Sequence, residues 1–275
     1  RCQIGQTVQR REQPPVANPS SVRRPSLHPV SQRIDVIIPT WNEEAWLPRL
    51  LNCLAESGSV QAVIVADNNS DDGTRAIAQA HGCRLVPGGR PARGRNAGAM
   101  VATGDILLFV DADTILPVGY LEGVEELFRD EATMAVYFRN LPLTTRPFIN
   151  VLYTIMDGYI AFLGWLGIAQ GVGTSIAVRA SAFRRAGGFP EDVDVGEDAF
   201  FLRSLCQLGT VKYVRDWPVY TSSRRLRLDG TFHYIGKLLV WLVLRLLHTK
   251  ASFFKYRWER YPQEFARLED DILAL

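Results

Sequence analysis

From Ile34 onward, short apolar runs alternate with segments of helical periodicity, and no other feature of this 275-residue sequence restricts the fold as strongly. The first apolar run ends at Pro39, and the run at 106–110 is apolar throughout. Strands that alternate with helices in this way form a mostly parallel sheet with helices covering its faces. The sequence therefore predicts an α/β fold with a Rossmann-like, mostly parallel central sheet.

Seven elements of this alternation can be recognised before residue 111. The first helix must start near Ala45, because Pro48 is tolerated only in a first helical turn. Gly82 follows the second helix as a C-terminal glycine. The predicted order is strand 35–38, helix from 45, strand 62–66, helix 74–80, strand 84–86, helix 96–103 and strand 106–110. Beyond Asp113 the alternation weakens, and we expect the later segment to form the acceptor half of the same domain.

The two ends of the chain differ from this central part. Residues 1–32 are rich in Pro, Ser, Gln and Arg and lack periodic hydrophobic residues, which is typical of a disordered tail. Residues 33–230 are predicted to form one domain. Residues 231–275 mix Leu and Trp with Lys and Arg, which predicts amphipathic C-terminal helices. The formal net charge of +2 gives no reason to expect nucleic acid as a partner.

Two apolar stretches, 148–171 and 235–247, raise the question of a membrane. A spanning helix needs about twenty mostly apolar residues. The first stretch is interrupted by Asn150 and Asp157, and the second is short and contains Lys237. The sequence therefore predicts no membrane span, although either stretch could lie on a membrane surface. For the C-terminal stretch, packing against the core is an equal alternative.

The four cysteines are scattered and show no spacing typical of a zinc site or a disulfide framework. We interpret them as reduced thiols, which are usual in the cytosol. The sequence thus predicts a cytoplasmic protein. Peripheral contact with the cytoplasmic face of the inner membrane is the extension of that prediction that the apolar stretches allow.

Polar side chains follow three of the predicted strands at the point where each strand ends. The clusters are Thr40-Trp41-Asn42-Glu43, Asp67-Asn68-Asn69 and Asp111-Ala112-Asp113. In open parallel sheets, ligands bind beyond the carboxyl ends of the strands. We therefore expect the three clusters to form one site at one edge of the sheet.

Asp111 and Asp113 are the strongest candidates for a metal site. Alternating residues of an extended segment point to opposite sides, so both carboxylates approach one ion only if the chain turns there. Two hard oxygen ligands suit Mg²⁺ or Mn²⁺ bound together with substrate phosphates. The alternative is a pair of solvated loop acids, but a position at the end of a central apolar strand favours the metal.

Taken together, the motifs resemble the family 2 inverting glycosyltransferases of GT-A fold. The motifs that carry the resemblance are Ile37-Ile38-Pro39-Thr40-Trp41-Asn42-Glu43-Glu44, Val65-Ala66-Asp67-Asn68-Asn69-Ser70-Asp71-Asp72-Gly73-Thr74, Gly94-Arg95-Asn96-Ala97-Gly98, Phe109-Val110-Asp111-Ala112-Asp113, Gly187-Gly188-Phe189 and Gly196-Glu197-Asp198. They cover about 34–225 in the family's order. The resemblance implies a nucleotide-sugar donor, a hydroxyl acceptor and a divalent metal.

The resemblance also implies roles for individual residues. Pro39, Thr40 and Glu43 would line the nucleotide pocket. Asp67 would contact the base or ribose, and Arg95 would lie near the nucleotide or its phosphates. Asp113 would be the principal metal ligand, with Asp111 reaching the donor sugar or ribose. The sequence has Asn68-Asn69 where many relatives have Asp-Gly, so the preferred base stays open.

Asp198 would be the general base that takes the proton of the acceptor hydroxyl. Without the resemblance, the pair Glu197-Asp198 is equally consistent with acids at a helix N-terminus, which the helix dipole favours. Arg224 and Arg225, next to two serines, could hold the donor diphosphate, or form a solvated basic loop or a lipid-headgroup contact. A structural role is the preferred interpretation of His233.

The sequence therefore predicts a metal-dependent inverting transferase that moves a sugar from a nucleotide diphosphate to a hydroxyl. A UDP-sugar is favoured over a GDP-sugar, and the acceptor is either lipid-linked or a cell-envelope glycan. One alternative is a non-catalytic sugar-nucleotide or lipid-binding relative, against which the intact Asp111, Asp113 and Asp198 argue. A sugar-nucleotide pyrophosphorylase would need a Gly-rich loop after the first strand, where Pro39-Thr40 stand instead.

Overall fold

The computed structural model describes residues 32–171, 173–193 and 196–224. The predicted tail, apart from Gln32, lies outside these residues, as do the C-terminal helices predicted at 231–275. Arg225 and His233 lie outside them too, so the roles suggested for both stay predictions.

The described residues form a sheet covered by helices. The strands are β1 (Ile34–Thr40), β2 (Val60–Asp67), β3 (Arg84–Pro87), β4 (Ile106–Val110), β5 (Thr114–Ile115), β6 (Thr133–Leu143), β7 (Ser175–Arg179) and β8 (Thr210–Ser222). The helices are α1 (Leu47–Ala55), α2 (Thr74–Ala80), α3 (Pro91–Val101), α4 (Tyr120–Phe128), α5 (Pro147–Trp165), α6 (Ala180–Ala186) and α7 (Glu197–Cys206).

The sheet has the strand order β3-β2-β1-β4-β7-β6-β8-β5. Strands β3, β2, β1 and β4 are parallel neighbours. Strand β7 runs antiparallel to both β4 and β6, and β5 runs antiparallel to β8. Because β6 and β8 are parallel to each other, six of the eight strands in the described part of the chain share one direction. The prediction of a mostly parallel sheet flanked by helices is confirmed.

Alternating side chains of β1 enter two separate cores. Val36 and Ile38 pack in the core that contains the buried leucines of α1 and residues of α4, whereas Ile37 packs on the other face with residues of α6 and α7. A strand buried on both faces reads as a largely apolar run, which is the pattern seen at 36–39 of the sequence. Helix α1 begins at Leu47, so Pro48 lies in its first turn as predicted.

Helix α3 begins earlier than predicted. The sequence favoured a short helix over 96–103, but the helix spans Pro91–Val101. Proline at a first helical position has a suitable fixed φ angle and lacks only an N–H that would be unpaired there. Glycine lowers helix propensity, so the start of the helix was not evident from the sequence. One glycine of the helix has a packing role: a Cβ at Gly98 would lie 2.4 Å from Cγ2 of Ile37. The missing side chain therefore allows α3 to approach β1.

The second half of the sheet brings a distant loop beside the end of β4. Strand β7 pairs with β4 through Val110 and Ser175. The residue before β7, Thr174, accepts a hydrogen bond from the Asp111 N–H at 3.0 Å through its carbonyl. The segment between α5 and β7 is thus fixed at the strand end where the sequence predicts a site.

Candidate active site

The carboxyl ends of β1, β2 and β4 meet at one edge of the sheet. Thr40 and Asp67 are register partners, and the Asn68 N–H donates to the Thr40 carbonyl at 2.9 Å. The third cluster reaches the first through Arg224, whose Nη2 lies 2.5 Å from Glu43 Oε1 and 3.1 Å from Asp113 Oδ2. The three predicted polar clusters therefore do lie together.

The loops that follow β1 and β2 are fixed to one another by their polar side chains. Asn42 exchanges two hydrogen bonds with Asp71, at 2.7 and 3.0 Å. The Glu43 N–H donates to Thr74 Oγ1 at 2.7 Å, and the Gly73 N–H donates to a carboxylate oxygen of Glu44 at 2.6 Å. Much of the polar sequence in these two motifs thus serves to hold the loops in place.

Asp67 is the centre of the β2 loop. Its carboxylate accepts hydrogen bonds from Thr40 Oγ1 at 3.1 Å and from the Ser70 N–H and Oγ at 3.0 and 2.5 Å. The residue is 7 % exposed. Local bonds to the backbone favour turns after a strand, so Asp67 shapes the loop. Its predicted contact with a base or ribose stays a prediction, as do the pocket-lining roles of Pro39 and Thr40.

The segment at Asp111 and Asp113 turns as the metal prediction requires. The Thr114 N–H donates to the Asp111 carbonyl at 3.1 Å, which closes a tight turn directly after β4. The side chain of Asp111 is 27 % exposed, whereas that of Asp113 is 10 % exposed. Each carboxylate lies against an arginine that it shares with a glutamate, so the two guanidiniums only partly balance the negative charge of these four carboxylates.

Arg95 joins Asp111 to the start of α7. The side chain is 3 % exposed; Nη2 donates to Asp111 Oδ1 at 2.8 Å and Nη1 donates to Glu197 Oε1 at 2.8 Å. A third bond runs from Nη2 to the Gly173 carbonyl at 3.1 Å. Burial alone would lower the pKa of this guanidinium, but the charges of Asp111 and Glu197 outweigh that effect and raise the pKa. Arg95 is therefore a fixed positive charge inside the site.

The neighbour of Arg95 has a structural role that the sequence did not suggest. Asn96 accepts from the Phe189 N–H and donates to the Phe189 carbonyl, both at 2.9 Å. A Cβ at Gly188 would lie 2.7 Å from Asn96 Oδ1, and its φ angle is +80°. The motif at Gly94-Arg95-Asn96 thus positions the Gly187-Gly188-Phe189 turn before α7. In the sequence, the occurrence of both motifs in one family was the only indication that they are connected.

Glu197 and Asp198 occupy the first turn of α7, after Gly196 with a φ angle of +84°. Asp198 is 8 % exposed, and its Oδ1 accepts from the Ala199 N–H at 2.7 Å. The charge of Asp198 also acts on the guanidinium of Arg95. Glu197, for which the sequence indicated no role of its own, is the residue that binds Arg95. The role of Asp198 as base stays a prediction.

The residues at the end of β4 fit a divalent cation that is shared with substrate phosphates. Within the described ranges, no group of three or more His, Cys, Asp or Glu side chains forms a metal site. Mg²⁺ is commonly held by one or two carboxylates with phosphates and water as the remaining ligands. Asp113 and Asp111 supply such a set of ligands, and together with Glu43 and Glu197 they give four carboxylates against two arginines, an excess of negative charge that favours a cation.

A concave surface lies next to this network. A cavity of about 280 Å³ opens between the N-terminus of α3 and the segment that precedes α7, with Arg90, Arg93 and Glu191 among its lining residues. Glu197 also lines it. The cavity thus reaches Glu197, the residue next to Asp198.

Residues 35–185 match the sequence profile described as Glycosyl transferase family 2. The match covers more than half of the chain, and it contains both loops, Arg95 and the pair Asp111 and Asp113. This chain belongs to glycosyl transferase family 2. The family predicted from the motifs is therefore confirmed, and a nucleotidyl-transferring pyrophosphorylase loses its support.

Curated relatives are glycosyltransferases that share part of their length with this family 2 protein. A validoxylamine A glucosyltransferase from Streptomyces hygroscopicus subsp. limoneus is 30 % identical over 127 residues, 38 % of this chain and 28 % of the relative. A pre-mycofactocin glycosyltransferase from Mycobacterium tuberculosis is 26 % identical over 198 residues, 68 % of this chain and 42 % of the relative. The chain thus spans less than half of the length of these relatives.

Solved structures confirm the GT-A type of fold. A mannosyltransferase from Pyrobaculum calidifontis, in complex with GDP-Man and Mn²⁺, has a TM-score of 0.58 at 21 % identity, covering 87 % of this chain and 68 % of the other. A glucosyl-3-phosphoglycerate synthase from Mycobacterium tuberculosis, in complex with Mn²⁺, UDP and glucosyl-3-phosphoglycerate, has a TM-score of 0.55 at 21 % identity. The match covers 82 % of this chain and 86 % of the other.

Proposed function

We propose that this family 2 chain transfers a sugar from a nucleotide-diphosphate donor to a hydroxyl acceptor, with inversion at the anomeric carbon. The observation that carries the proposal is the arrangement at the end of β4. There, two carboxylates and two buried arginines join the loops after β1 and β4 to the start of α7. Membership of the family supports the reaction class.

A UDP-sugar is the first candidate donor and a GDP-sugar the second. The related structures support both, since one contains UDP with Mn²⁺ and another contains GDP-Man with Mn²⁺. The acceptor is a hydroxyl that is either lipid-linked or part of a cell-envelope glycan. Asp67, for which the resemblance implies contact with the base or ribose, is buried and held by hydrogen bonds from Thr40 and Ser70, and such fixed geometry suits the recognition of a nucleotide.

In the proposed reaction, Asp198 removes the proton of the acceptor hydroxyl. The freed oxygen forms a bond to the anomeric carbon as the bond from that carbon to the diphosphate oxygen breaks. The first turn of α7, which carries Asp198, is joined to Asp111 through Glu197 and Arg95, and this position beside the donor residues supports the placement of the base. Arg95 would hold Asp111 in the orientation that contacts the donor.

Asp113, with Asp111 beside it, would hold Mg²⁺ or Mn²⁺. When bound, such a cation neutralises the charge that grows on a departing diphosphate. The chain's own contribution is a set of fixed charges that need no rearrangement as the reaction proceeds, which is how preorganised sites stabilise developing charge.

A thermal-shift panel of UDP- and GDP-sugars with Mn²⁺ tests the proposal. A donor at a hundred times its dissociation constant adds about 2.7 kcal/mol of stability. For a domain of this size we expect the melting temperature to rise by about 5–10 °C. The rise should require Mn²⁺ or Mg²⁺ and disappear with a chelator. A panel in which no nucleotide sugar stabilises the protein would contradict the proposal, and slow donor hydrolysis separates an enzyme from a binding protein.

Arg224 leads to a prediction about which positive charge lies against Asp113, its own guanidinium or a metal cation. Its guanidinium bridges Glu43 and Asp113, so it holds the positive charge that a cation at Asp113 would replace. Hydrogen bonds to charged groups contribute ~1.5–3 kcal/mol. We expect Arg224→Met to bind Mn²⁺ about tenfold more tightly than wild type when no nucleotide is present, measured by Mn²⁺ electron paramagnetic resonance.

The matched control for Arg224→Met is Arg75→Met. Arg75 also carries a charge at this edge, but it is 60 % exposed and lies 3.9 Å from Asp67. Its replacement should leave the affinity for Mn²⁺ unchanged within about twofold. In the presence of UDP and Mn²⁺, loss of Arg224 should weaken nucleotide binding if the freed guanidinium contacts the diphosphate. An Arg224→Met protein with unchanged or weaker affinity for Mn²⁺ would rule out the exchange of charges.

A further inference from the structure

Helix α5 exposes an apolar stripe along its whole length. Phe148, Val151, Ile155, Phe162 and Trp165 are 55 %, 55 %, 63 %, 55 % and 77 % exposed. Their spacing of three, four, seven and three residues places them on one face of a helix. Nineteen residues at 1.5 Å each make this face about 28 Å long. Contiguous apolar patches of this kind indicate an interaction site.

The opposite face of α5 is fixed to the sheet by a buried carboxylate. Asp157 is 4 % exposed; its Oδ1 accepts from the Tyr213 hydroxyl at 2.7 Å, and its Oδ2 lies 2.6 Å from Arg215 Nη2 and 3.2 Å from Arg139 Nε. Burial alone would raise the pKa of Asp157, but the hydrogen bonds from Arg215 and Tyr213 and the charge of Arg139 hold it below its ordinary value. Asp157 is thus a charged anchor.

This anchor decides how α5 can meet a membrane. By length and composition alone, α5 could cross one: it has 19 residues with a mean hydropathy of 1.3, and 22 % of it is buried. Crossing would separate the buried Asp157 carboxylate from Arg139 and Arg215 and leave it without these charged partners, which strongly destabilises a buried charge. The helix therefore stays on the sheet and offers only its outer face.

The chain that follows the described residues indicates what covers this face. Ser223 Oγ donates to the Leu143 carbonyl at 3.4 Å, and α5 begins at Pro147, four residues after Leu143 in the sequence, so the described chain ends close to the start of α5. The sequence from 225 to 260 then contains eight Lys and Arg against two acids, together with many Leu, Phe and Trp residues. Basic and apolar residues joined to an apolar stripe match an anionic lipid surface.

We propose that the outer face of α5 docks on an anionic bilayer, with the helix lying parallel to the surface. The docked face starts beside Leu143 and Ser223, and Ser223 precedes Arg224, which contacts Asp113. The candidate active site therefore lies close to the first turn of α5, and so to the lipid surface. Resting on the proposed function, this location favours an acceptor hydroxyl carried by a lipid over one carried by a soluble glycan.

Vesicle co-sedimentation with the full chain tests the docking. The probe is a vesicle of phosphatidylglycerol and phosphatidylcholine in equal parts. We expect wild type to bind, and the double variant I155E/F162E to lower the partition constant at least tenfold. Met100→Glu is the matched control, because Met100 is 86 % exposed on α3 and lies outside the stripe. Its binding should equal that of wild type. Vesicles of phosphatidylcholine alone should bind wild type more weakly.

If something other than a bilayer covers the outer face of α5, these binding experiments will give different results. A double variant that binds vesicles as wild type does overturns the proposal. If the face instead pairs two copies of the chain, sedimentation without lipid will show a dimer that I155E/F162E converts to monomer, which also overturns it. Should I155E/F162E fail to fold, F148S/V151S provides the same comparison at the other end of the stripe. The donor-induced thermal shift of each folded variant should match wild type, so failure of docking and failure of the proposed transferase activity are distinguishable.

Discussion

Asp113→Ala is expected to lower sugar transfer by about 10³-fold while the protein remains folded. Asp113 lies at the end of β4, where the carboxylate is the main protein ligand proposed for the cation. A bound cation contributes several kcal/mol of charge stabilisation in the transition state, and each 1.36 kcal/mol is a factor of ten in rate. Turnover with the donor identified by thermal shift, or donor hydrolysis without acceptor, measures the loss. The metal-dependent part of the thermal shift should disappear as well.

Asp105→Ala is the control for this variant. Asp105 stands immediately before β4, at the opposite end of the strand, and pairs with the exposed Arg33. The substitution therefore removes an aspartate next to the same strand but far from the site. We expect its turnover to stay within about threefold of wild type. An Asp113→Ala protein that keeps near wild-type turnover in Mn²⁺ or Mg²⁺ would show that the cation is not held there.

Asp198→Asn is expected to lower turnover by ~10²–10⁴-fold, the usual contribution of general-base catalysis. Asparagine keeps the size of the side chain and can still accept from the Ala199 N–H through its amide oxygen. It cannot take a proton from the acceptor hydroxyl. Donor affinity should stay near that of wild type, because the donor is proposed to be held by the loops after β1, β2 and β4. Turnover within about threefold of wild type would exclude Asp198 as the base.

Glu197→Gln separates the base from its neighbour. Glu197 binds the buried Arg95, which keeps Asp111 and the Gly173 carbonyl as further partners. We expect a smaller loss of turnover than in Asp198→Asn, together with a lower melting temperature, because one charged partner of Arg95 becomes neutral. If Glu197→Gln loses more turnover than Asp198→Asn, the base is the other residue of the pair. Loss of both turnover and donor binding in Asp198→Asn would indicate a structural role for that residue.

The first half of the fold could be predicted from the sequence, because its signals are local. Apolar runs that end in polar clusters marked β1, β2 and β4, and Pro48 fixed the start of α1. Helix α3 was placed too late, since Gly94 lowers the helix propensity of its first part. Gly98 allows α3 to pack closely against Ile37 of β1, a reason for the glycine that only the neighbouring strand makes visible.

The sequence predicted the residues of the site but not the ion pairs that join them. The pairs Arg95–Glu197 and Arg224–Glu43 join residues 102 and 181 positions apart. No spacing rule reaches over such distances, so Glu197 was assigned only a neighbour's role. The turn at Asp111 was predicted, because two alternate carboxylates can share an ion in no other way.

The sequence by itself determined the alternation of strands and helices, the mostly parallel sheet, the position of the acidic turn after β4 and the family. Each of these depends on neighbours in the chain, whose periodicity and turn chemistry are local properties. Tertiary structure alone decided that β7 enters the sheet beside β4, that Arg95 and Arg224 pair with the carboxylates, and which face of α5 is exposed. Helix α5 is apolar on nearly every side, so its periodicity could not identify a buried face. Asp157 fixes that face only because Arg139 and Arg215, on β6 and β8, are brought to it by the folded sheet.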